Sequence, residues 1–114
     1  MSNCIFCKIV AGEIPSTKVY EDEKVLGFKD LNPMAEVHNL FIHKDHTQDL
    51  NDLSDNKQDQ LGDIFSAISK YSKESKLAED GFRVVTNIGN NGGQTVFHTH
   101  FHVLGGQRLG GFGS

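Results

Sequence analysis

The chain carries the stretch HTHFHVL at residues 98–104, in which three histidines alternate with mostly apolar residues. Successive side chains of a β-strand point to opposite faces of the sheet. On a strand running over residues 95–104, His98, His100 and His102 would therefore share one face, while the residues between them face a core. The stretch predicts a strand that presents a row of imidazoles on a rigid support.

The spacing of this histidine row limits the chemistry that it can perform. Same-face neighbours on a strand lie roughly 6–7 Å apart, so the two outer histidines would be about 13 Å apart. One metal ion, with bonds of about 2 Å, is not easily held by all three, although two adjacent members could share one. Neutral imidazole is a nucleophile and imidazolium stabilises phosphate charge, which favours an extended phosphate-bearing substrate. From the spacing alone, a solvent-facing strand and half of a metal site stay open as interpretations.

A loop with the sequence GGQT lies immediately before the row, at residues 92–95. Glycine lets a phosphate approach the backbone closely, and exposed backbone N–H groups bind anions. Most such turns only connect strands, but this one leads directly into the histidine row. The combination indicates a phosphate-binding loop.

Hydrophobic periodicity and turn residues predict the remaining elements. A long helix is predicted to begin at a Ser54 cap and to run to about Lys76. The order of elements predicts the α+β class, with an antiparallel sheet covered by helices. The glycine-rich tail over residues 105–114 is expected to be flexible. We expect a short helix over residues 4–11 and strands over residues 18–21, 24–29, 38–43, 82–87 and 95–104.

Composition and charge exclude several classes of protein. The 114 residues fit one compact domain, and hydrophobic residues make up 37% of them. The formal net charge is -4 with no basic cluster, which argues against binding to nucleic acid. No stretch approaches the roughly 18 apolar residues of a membrane span. The first residues also lack the basic start and apolar run of a signal peptide. We therefore expect a cytoplasmic domain without nucleic-acid or membrane partners.

Cys4 and Cys7 are separated by two residues, a spacing that can present two thiolates to one zinc ion. A structural zinc site needs four ligands, so two more would have to come from elsewhere in the chain. A redox pair and two unconnected buried thiols are the alternative interpretations.

Together with its flanking segments, the stretch at residues 98–104 resembles the signature of the histidine triad (HIT) superfamily. The resemblance is to its histidine triad nucleotide-binding protein branch in particular. Thr99 departs from the apolar residue usual at its position, although a β-branched residue suits a strand. Other segments that resemble the branch are IFCKI at 5–9, GEIP at 12–15, FKDLNP at 28–33, GGQTVF at 92–97 and Gly105-Gly106.

The resemblance implies a single HIT domain over residues 1–114, with a five-stranded antiparallel sheet, a short N-terminal helix and one long helix. It also implies a homodimer in which the sheet continues across the interface. The implied activity is hydrolysis of purine nucleoside phosphoramidates or adenylated amines, which the Gly105-Gly106 exit favours over hydrolysis of dinucleoside polyphosphates. A non-catalytic nucleotide-binding or interaction module is a further alternative.

By the same resemblance, the catalytic residues are His100, His102, His98 and His38. His100 would attack the α-phosphorus and form a transient nucleotidyl-histidine, and His102 would contact the phosphate. Asp30 would accept hydrogen bonds from the ribose hydroxyls. The nucleotide-binding residues that the resemblance implies are Ile5, Phe6, Ile9, Phe28, Asp30, Leu31, Asn87, Gly93, Gln94, Thr95, His100 and His102.

Zinc-bearing members of the superfamily use a Cys-Cys-His-His set, which corresponds here to Cys4, Cys7, His46 and His98. A structural zinc ion is therefore expected as the cofactor. If His98 binds zinc, it cannot also act as a free catalytic base, and its role becomes to orient the strand. His43 stands where the family usually has proline, and we expect it to be a surface residue without a function.

Overall fold

The computed structural model describes residues 3–111, and its sheet has the five antiparallel strands that the sequence predicts. They lie in the order β1-β2-β3-β5-β4, and every neighbouring pair is antiparallel. β3 and β5, on which site histidines were predicted, are therefore adjacent inside the sheet. The strands are β1 (Lys18–Glu21), β2 (Val25–Lys29), β3 (Val37–His43), β4 (Arg83–Val85) and β5 (His100–Gly105).

The described residues also form a short N-terminal helix and a long helix, as predicted. The N-terminal helix is capped by Cys4, whose Sγ accepts the backbone N–H of Cys7 over 3.4 Å. The long helix packs an apolar face, including Ile64 and Ile68, against the sheet. The helices are α1 (Ile5–Val10), α2 (Leu50–Asn56), α3 (Asp59–Glu74) and α4 (Leu77–Asp80).

The prediction of one continuous helix beginning at a Ser54 cap is wrong. Ser54 lies inside α2, which begins earlier because Asp49 accepts the backbone N–H of Asp52 over 2.9 Å. The chain leaves the helical conformation at Lys57, before α3 begins. It does so again at Lys76, whose φ of 68° is left-handed, before α4.

The core lies on both faces of the sheet. Successive strand residues point to opposite faces, and in the central strands the residues on each face are largely apolar. On β3, Phe41 packs on the helix-covered face, while Leu40 and Ile42 pack on the face that α1 covers. The buried residues under the long helix include Val25, Phe41, Leu53, Ile64, Ala67, Phe101 and Val103. Those on the α1 face are Phe6, Leu26, Phe28, Leu40 and Ile42.

The last strand was predicted to begin at residue 95, but it begins at His100. The segment before it turns towards the loop after β3, because the backbone N–H of Thr99 donates to the carbonyl oxygen of Thr47 over 2.9 Å. The two threonine hydroxyls also contact each other over 2.7 Å. β4 is likewise shorter than the predicted 82–87.

The predicted flexible tail begins inside the fold. Gly105 is the buried last residue of β5. Further along, Gln107 accepts the backbone N–H of Glu36 over 2.7 Å, and Arg83 donates to the carbonyl oxygen of Gly110 over 2.9 Å. Residues 112–114 of the predicted tail lie outside the described residues. Over residues 3–111, no helix is long and apolar enough to cross a membrane.

Candidate active site and metal-binding cluster

His38, His100 and His102 lie close together on the face of the sheet that α1 covers. β3 and β5 pair so that His102 lies opposite Leu40, which places His38 and His102 on the same face. The ring centroids of His38 and His102 are 5.1 Å apart, and those of His100 and His102 are also 5.1 Å apart. The structure thus brings together three of the four histidines that were predicted to be catalytic.

Hydrogen bonds determine which nitrogen of His38 carries its proton. The backbone N–H of Met34 donates to His38 Nδ1 over 3.0 Å, so the proton of the neutral ring lies on Nε2. His38 Nε2 lies 2.9 Å from His102 Nδ1 and donates to it. His102 consequently carries its own proton on Nε2, where it can donate to a phosphate oxygen.

The same contacts decide whether Asp30, His38 and His102 form a metal site. One ligand atom of each lies within 4.8 Å of the others, which is close enough for one ion. However, His38 Nε2 carries the proton and His38 Nδ1 is occupied by the backbone N–H of Met34. Because neither nitrogen has a free lone pair for a metal, we interpret the group as a chain of hydrogen bonds.

His100 has the opposite arrangement of its ring proton. Its Nδ1 lies 2.7 Å from the carbonyl oxygen of His98 and donates to it, so Nε2 keeps an unprotonated lone pair. Burial lowers the pKa of His100, although the hydrogen bond to His98 and the charge of Asp30 oppose the shift. A neutral imidazole with its lone pair on a fixed nitrogen is suited to nucleophilic attack.

His102 is suited to a different role. Burial, with smaller contributions from His100 and His38, lowers the pKa of His102 to about 4. The ring is therefore neutral at pH 7, and it offers a phosphate a hydrogen bond from Nε2 and not the positive charge of an imidazolium ion.

His98 is not part of this group. The prediction that it lies on the same strand as His100 and His102 is wrong, because β5 begins only at His100, although the ring of His98 packs against Phe6 as that of His100 does. His98 precedes β5, and its Nε2 donates to the carbonyl oxygen of His43 over 2.8 Å. This hydrogen bond turns Nδ1, with its lone pair, towards Cys4 and Cys7. Burial lowers the pKa of His98 to about 4, which keeps that lone pair unprotonated at pH 7.

Cys4, Cys7, His46 and His98 form a possible metal-binding cluster, since one ligand atom of each lies within 4.8 Å of the others. His98 Nδ1 is 3.4 Å from Cys4 Sγ, 3.5 Å from Cys7 Sγ and 3.1 Å from His46 Nδ1. Cys7 Sγ and His46 Nδ1 are 3.4 Å apart. A tetrahedral zinc site with bonds of about 2.0–2.3 Å has distances between ligand atoms of roughly 3.3–3.8 Å. The donor atoms therefore converge at nearly the separations that such an ion requires.

The predicted phosphate-binding loop is held by its own hydrogen bonds. The N–H groups of Gly93 and Gln94 donate to the carbonyl oxygens of Asn90 and Gly89, each over 3.0 Å. The buried side chain of Gln94 accepts the N–H of Gly89 over 2.9 Å and donates to the carbonyl oxygen of Gln48. Asn87 is half-buried and Thr95 is exposed at the two ends of the loop. The structure thus gives Gln94 a role in shaping the loop.

The apolar residues among the predicted nucleotide-binding set separate into a buried and an exposed group. Phe6 packs edge-on against Phe28, with ring centroids 5.4 Å apart, and against the ring of His100 at 5.1 Å. Ile9 packs partly buried against the same cluster. Ile5 and Leu31 are 47% and 92% exposed, so both form part of the surface.

Asp30, the predicted ribose-binding residue, reaches the histidines at the end of β2. Its Oδ1 accepts the backbone N–H of Asn32 over 2.8 Å. Its Oδ2 lies 3.4 Å from His38 Nε2, and 19% of its side chain is exposed. Asp30 therefore contacts both solvent and the hydrogen-bonded histidines.

Sequence reasoning missed two groups that support the site. The backbone N–H of Met34 sets the tautomer of His38, and no pattern of side chains indicates such a contact. His43 was assigned no function, yet its carbonyl oxygen holds His98 and its Nε2 contacts Asp63 Oδ2 over 3.0 Å. The placement of a histidine as the last residue of a buried strand could have suggested a packed polar role.

The sequence of this chain is similar to those of known proteins over most of its length. The family model described as HIT domain matches residues 11–109. Protein HitA from Neisseria gonorrhoeae is 46% identical over 105 residues, which cover 92% of this chain and 97% of that protein. The purine nucleoside phosphoramidase of Escherichia coli strain K12 is 41% identical over 106 residues, which cover 93% of this chain and 89% of that enzyme.

Solved structures are similar over nearly the full length. A histidine triad protein from Clostridium difficile has a TM-score of 0.93 and 48% identity, covering 98% of this chain and 97% of its own. A HIT family hydrolase from Clostridium thermocellum has a TM-score of 0.93 and 44% identity, covering 100% of this chain and 99% of its own. The fold around the histidines is thus shared along with the sequence.

Proposed function

The chain belongs to the HIT domain family, and from that premise we propose that it is a hydrolase of purine nucleoside phosphoramidates. The observation that carries the proposal is the pair of opposite ring tautomers at the site. His100 keeps its lone pair on Nε2, while the neighbouring His102 keeps its proton on Nε2. One nitrogen is thereby prepared to attack a phosphorus atom and the other to donate to a phosphate oxygen.

In the proposed reaction, His100 Nε2 attacks the α-phosphorus and the P–N bond of the substrate breaks. The leaving nitrogen takes up one proton from solvent and departs as an amine, such as the ε-amine of an adenylated lysine. Water then cleaves the bond between phosphorus and His100, which releases the nucleoside monophosphate and restores the ring. Asp30 binds the ribose hydroxyls, and Phe6 and Phe28 lie under the base.

The leaving group is proposed to be an amine because a 41% identical relative is named purine nucleoside phosphoramidase. Hydrolysis of dinucleoside polyphosphates would use the same covalent intermediate with a phosphate leaving group. Binding of nucleotide without turnover is the remaining alternative, and both are outcomes of the experiment below.

The experiment compares wild type, His100→Asn and His43→Asn in an assay with a fluorogenic adenosine phosphoramidate. We expect His100→Asn to lose at least about 10³-fold in turnover, because it removes the nucleophile. His43→Asn, which removes a histidine ring outside the site, should retain most of the rate. Mass spectrometry of quenched wild type should detect one nucleoside monophosphate attached to His100. No turnover by wild type, or full turnover by His100→Asn, contradicts the proposal, and faster turnover of diadenosine polyphosphates selects the alternative substrate.

We also propose that the Cys4, Cys7, His46 and His98 cluster holds a structural zinc ion. Two thiolates and two imidazoles are a set that zinc prefers, and the observed separations support it. A bound zinc ion would crosslink α1 to the loop after β3 and to the segment that enters β5. Because the His98 carbonyl holds His100, the metal cluster would help to position the nucleophile.

Metal analysis tests this proposal. Protein purified without chelator is expected to contain about one zinc per chain, and Cys4→Ser should lose most of it. The loss should lower the unfolding temperature, since metal binding contributes to the stability of the fold. His43→Asn again serves as the control for a histidine that is not a ligand. Wild type that contains no zinc and gains no stability when zinc is added contradicts the proposal.

We further propose that two copies form a homodimer through β4. This strand is at the edge of the sheet and pairs within the described residues only with β5. Val84 of this strand is 41% exposed, and Phe65 of α3 is 50% exposed. They border a groove of about 440 Å³ that Ile68 and Phe82 also line. An exposed strand edge next to exposed apolar side chains favours pairing with a second sheet.

A further inference from the structure

His38 has one ring proton and two acceptors within reach. The backbone N–H of Met34 occupies Nδ1, so the proton lies on Nε2. His102 Nδ1 lies 2.9 Å from this nitrogen and Asp30 Oδ2 lies 3.4 Å from it. The ring can make a full hydrogen bond to only one of the two, and a carboxylate is the stronger acceptor by charge. Asp30 therefore competes with His102 for the proton of His38.

The outcome of this competition sets the tautomer of His102. When His38 donates to His102 Nδ1, that nitrogen must be an acceptor and the proton of His102 lies on Nε2. When His38 donates to Asp30 instead, His102 Nδ1 has no donor and can carry the proton itself. Its Nε2 would then direct a lone pair at the phosphate oxygen, which repels the substrate instead of binding it.

Asp30 is placed so that a ligand can change the competition. Its Oδ1 is engaged by the backbone N–H of Asn32, and Oδ2 is the oxygen near His38. The side chain of Asp30 is 19% exposed, so a hydroxyl group of a ligand can reach it from solvent. A hydroxyl that donates to Oδ2 occupies one lone pair of that oxygen and partly neutralises its charge, which makes Oδ2 a weaker acceptor for the proton of His38.

We propose that Asp30 is a positioning residue that couples ribose binding to the chemical step. Ribose hydroxyls on Asp30 commit the His38 proton to His102, and His102 then holds the tautomer that donates to the phosphate. The enzyme thereby prefers ribonucleotides in the rate of nucleotidyl transfer and not only in affinity. This inference rests on the proposed function, in which Asp30 binds the ribose.

The kinetic test compares adenosine and 2′,3′-dideoxyadenosine phosphoramidates that carry the same fluorogenic amine. At saturating substrate, wild type should transfer the nucleotidyl group to His100 up to about tenfold more slowly from the dideoxy substrate, the effect of one weakened hydrogen bond. Asp30→Asn has a neutral amide that competes poorly for the His38 proton. This variant should therefore react faster than wild type with the dideoxy substrate, and its ratio of the two rates should approach one.

A merely ribose-binding Asp30 predicts a different result. The dideoxy substrate would then raise KM in wild type without changing the transfer rate, and Asp30→Asn would gain no rate on it. Either observation overturns the coupling. Glu36→Gln is the matched control, because it removes one negative charge from the loop between β2 and β3 that also carries Asp30. It should leave the ratio of the two transfer rates at its wild-type value.

A nitrogen-15 NMR measurement tests the coupling separately from turnover. Adenosine monophosphate bound to wild type should place the His102 proton on Nε2, whereas 2′,3′-dideoxyadenosine monophosphate should leave a larger fraction on Nδ1. Equal tautomer populations with the two ligands overturn the inference. Failure of wild type to hydrolyse the ribose substrate contradicts the proposed function. In that case the NMR comparison of the two bound monophosphates still tests the coupling, because it needs no turnover.

Discussion

Backbone groups control the chemistry of three histidine rings. The N–H of Met34 fixes the proton of His38, the carbonyl of His98 fixes that of His100, and the carbonyl of His43 fixes that of His98. A sequence can indicate that imidazoles share a site, but it does not indicate which nitrogen is protonated. That assignment depends on backbone atoms that almost every residue type would supply, proline being the exception for an N–H donor.

Thr99 is a second case at the scale of single residues. The family pattern expects an apolar residue at this position, and the buried Thr99 has a hydroxyl that must find a partner. It finds one in the buried Thr47, whose hydroxyl lies 2.7 Å away. The departure from the pattern is thus compensated by another residue 52 positions away in the chain.

We predict that Thr99→Val destabilises the fold by about 1–3 kcal/mol, because the Thr47 hydroxyl is left buried without its side-chain partner. The double variant Thr47→Val with Thr99→Val should recover part of that loss, since both hydroxyls are then gone. Urea unfolding of the two single variants and the double variant measures the coupling. The exposed Thr17→Val serves as control, and losses that simply add in the double variant would contradict the pairing.

At the scale of elements, alternation predicted the strands well where burial on the two faces decides the pattern. Leu40, Phe41 and Ile42 are buried on alternate faces, and β3 lies within one residue of its predicted bounds. The start of β5 could not be predicted, because HTHFHVL alternates without a break across residue 100. The strand begins there only because Thr47 and His43 hold the two preceding residues, and those contacts are long-range.

The helical region shows the same limit. Both Asp49 and Ser54 are residue types that cap helices, and the apolar spacing continues across the junction at Lys57. Only the structure shows that Asp49 and Asp52 make the cap, with Asp52 Oδ2 accepting the backbone N–H of Gln48 over 2.8 Å. The four residues expected from the resemblance to bind a metal, in contrast, do converge in the structure.

The cap assignment leads to a direct comparison of two substitutions. Asp49→Ala should lower the free energy of unfolding by about 1 kcal/mol, because it removes the acceptor for the Asp52 N–H. Ser54→Ala, at an exposed position inside α2, should change it by less than about 0.5 kcal/mol. Asp49→Ser should retain most of the stability, since serine also caps. A larger loss from Ser54→Ala than from Asp49→Ala in the same unfolding assay would reverse the assignment.

Across the whole molecule, the metal-binding cluster and the candidate active site meet at one residue. The ring of His98 belongs to the cluster, and its carbonyl oxygen holds His100. The cluster brings the N-terminal helix to the entrance of β5, and one hydrogen bond from His100 Nδ1 to the carbonyl oxygen of His98 connects it to the ring of His100. On the opposite side of β5, the sheet ends at β4, whose outer edge pairs with no other strand among residues 3–111, and two apolar side chains are exposed there.

That edge leads to the prediction about assembly. Wild type should sediment at twice the 12.6 kDa mass of the chain, whereas Val84→Lys and Phe65→Glu should sediment as monomers at the same concentration. A charge placed in an apolar interface has to be desolvated, and each 1.4 kcal/mol of that cost weakens dimerisation about tenfold. Thr17→Lys, beside the opposite edge strand β1, should remain dimeric. Circular dichroism must show that the variants stay folded. A folded Val84→Lys that still dimerises would place the interface elsewhere. A monomeric wild type would contradict the proposed dimer.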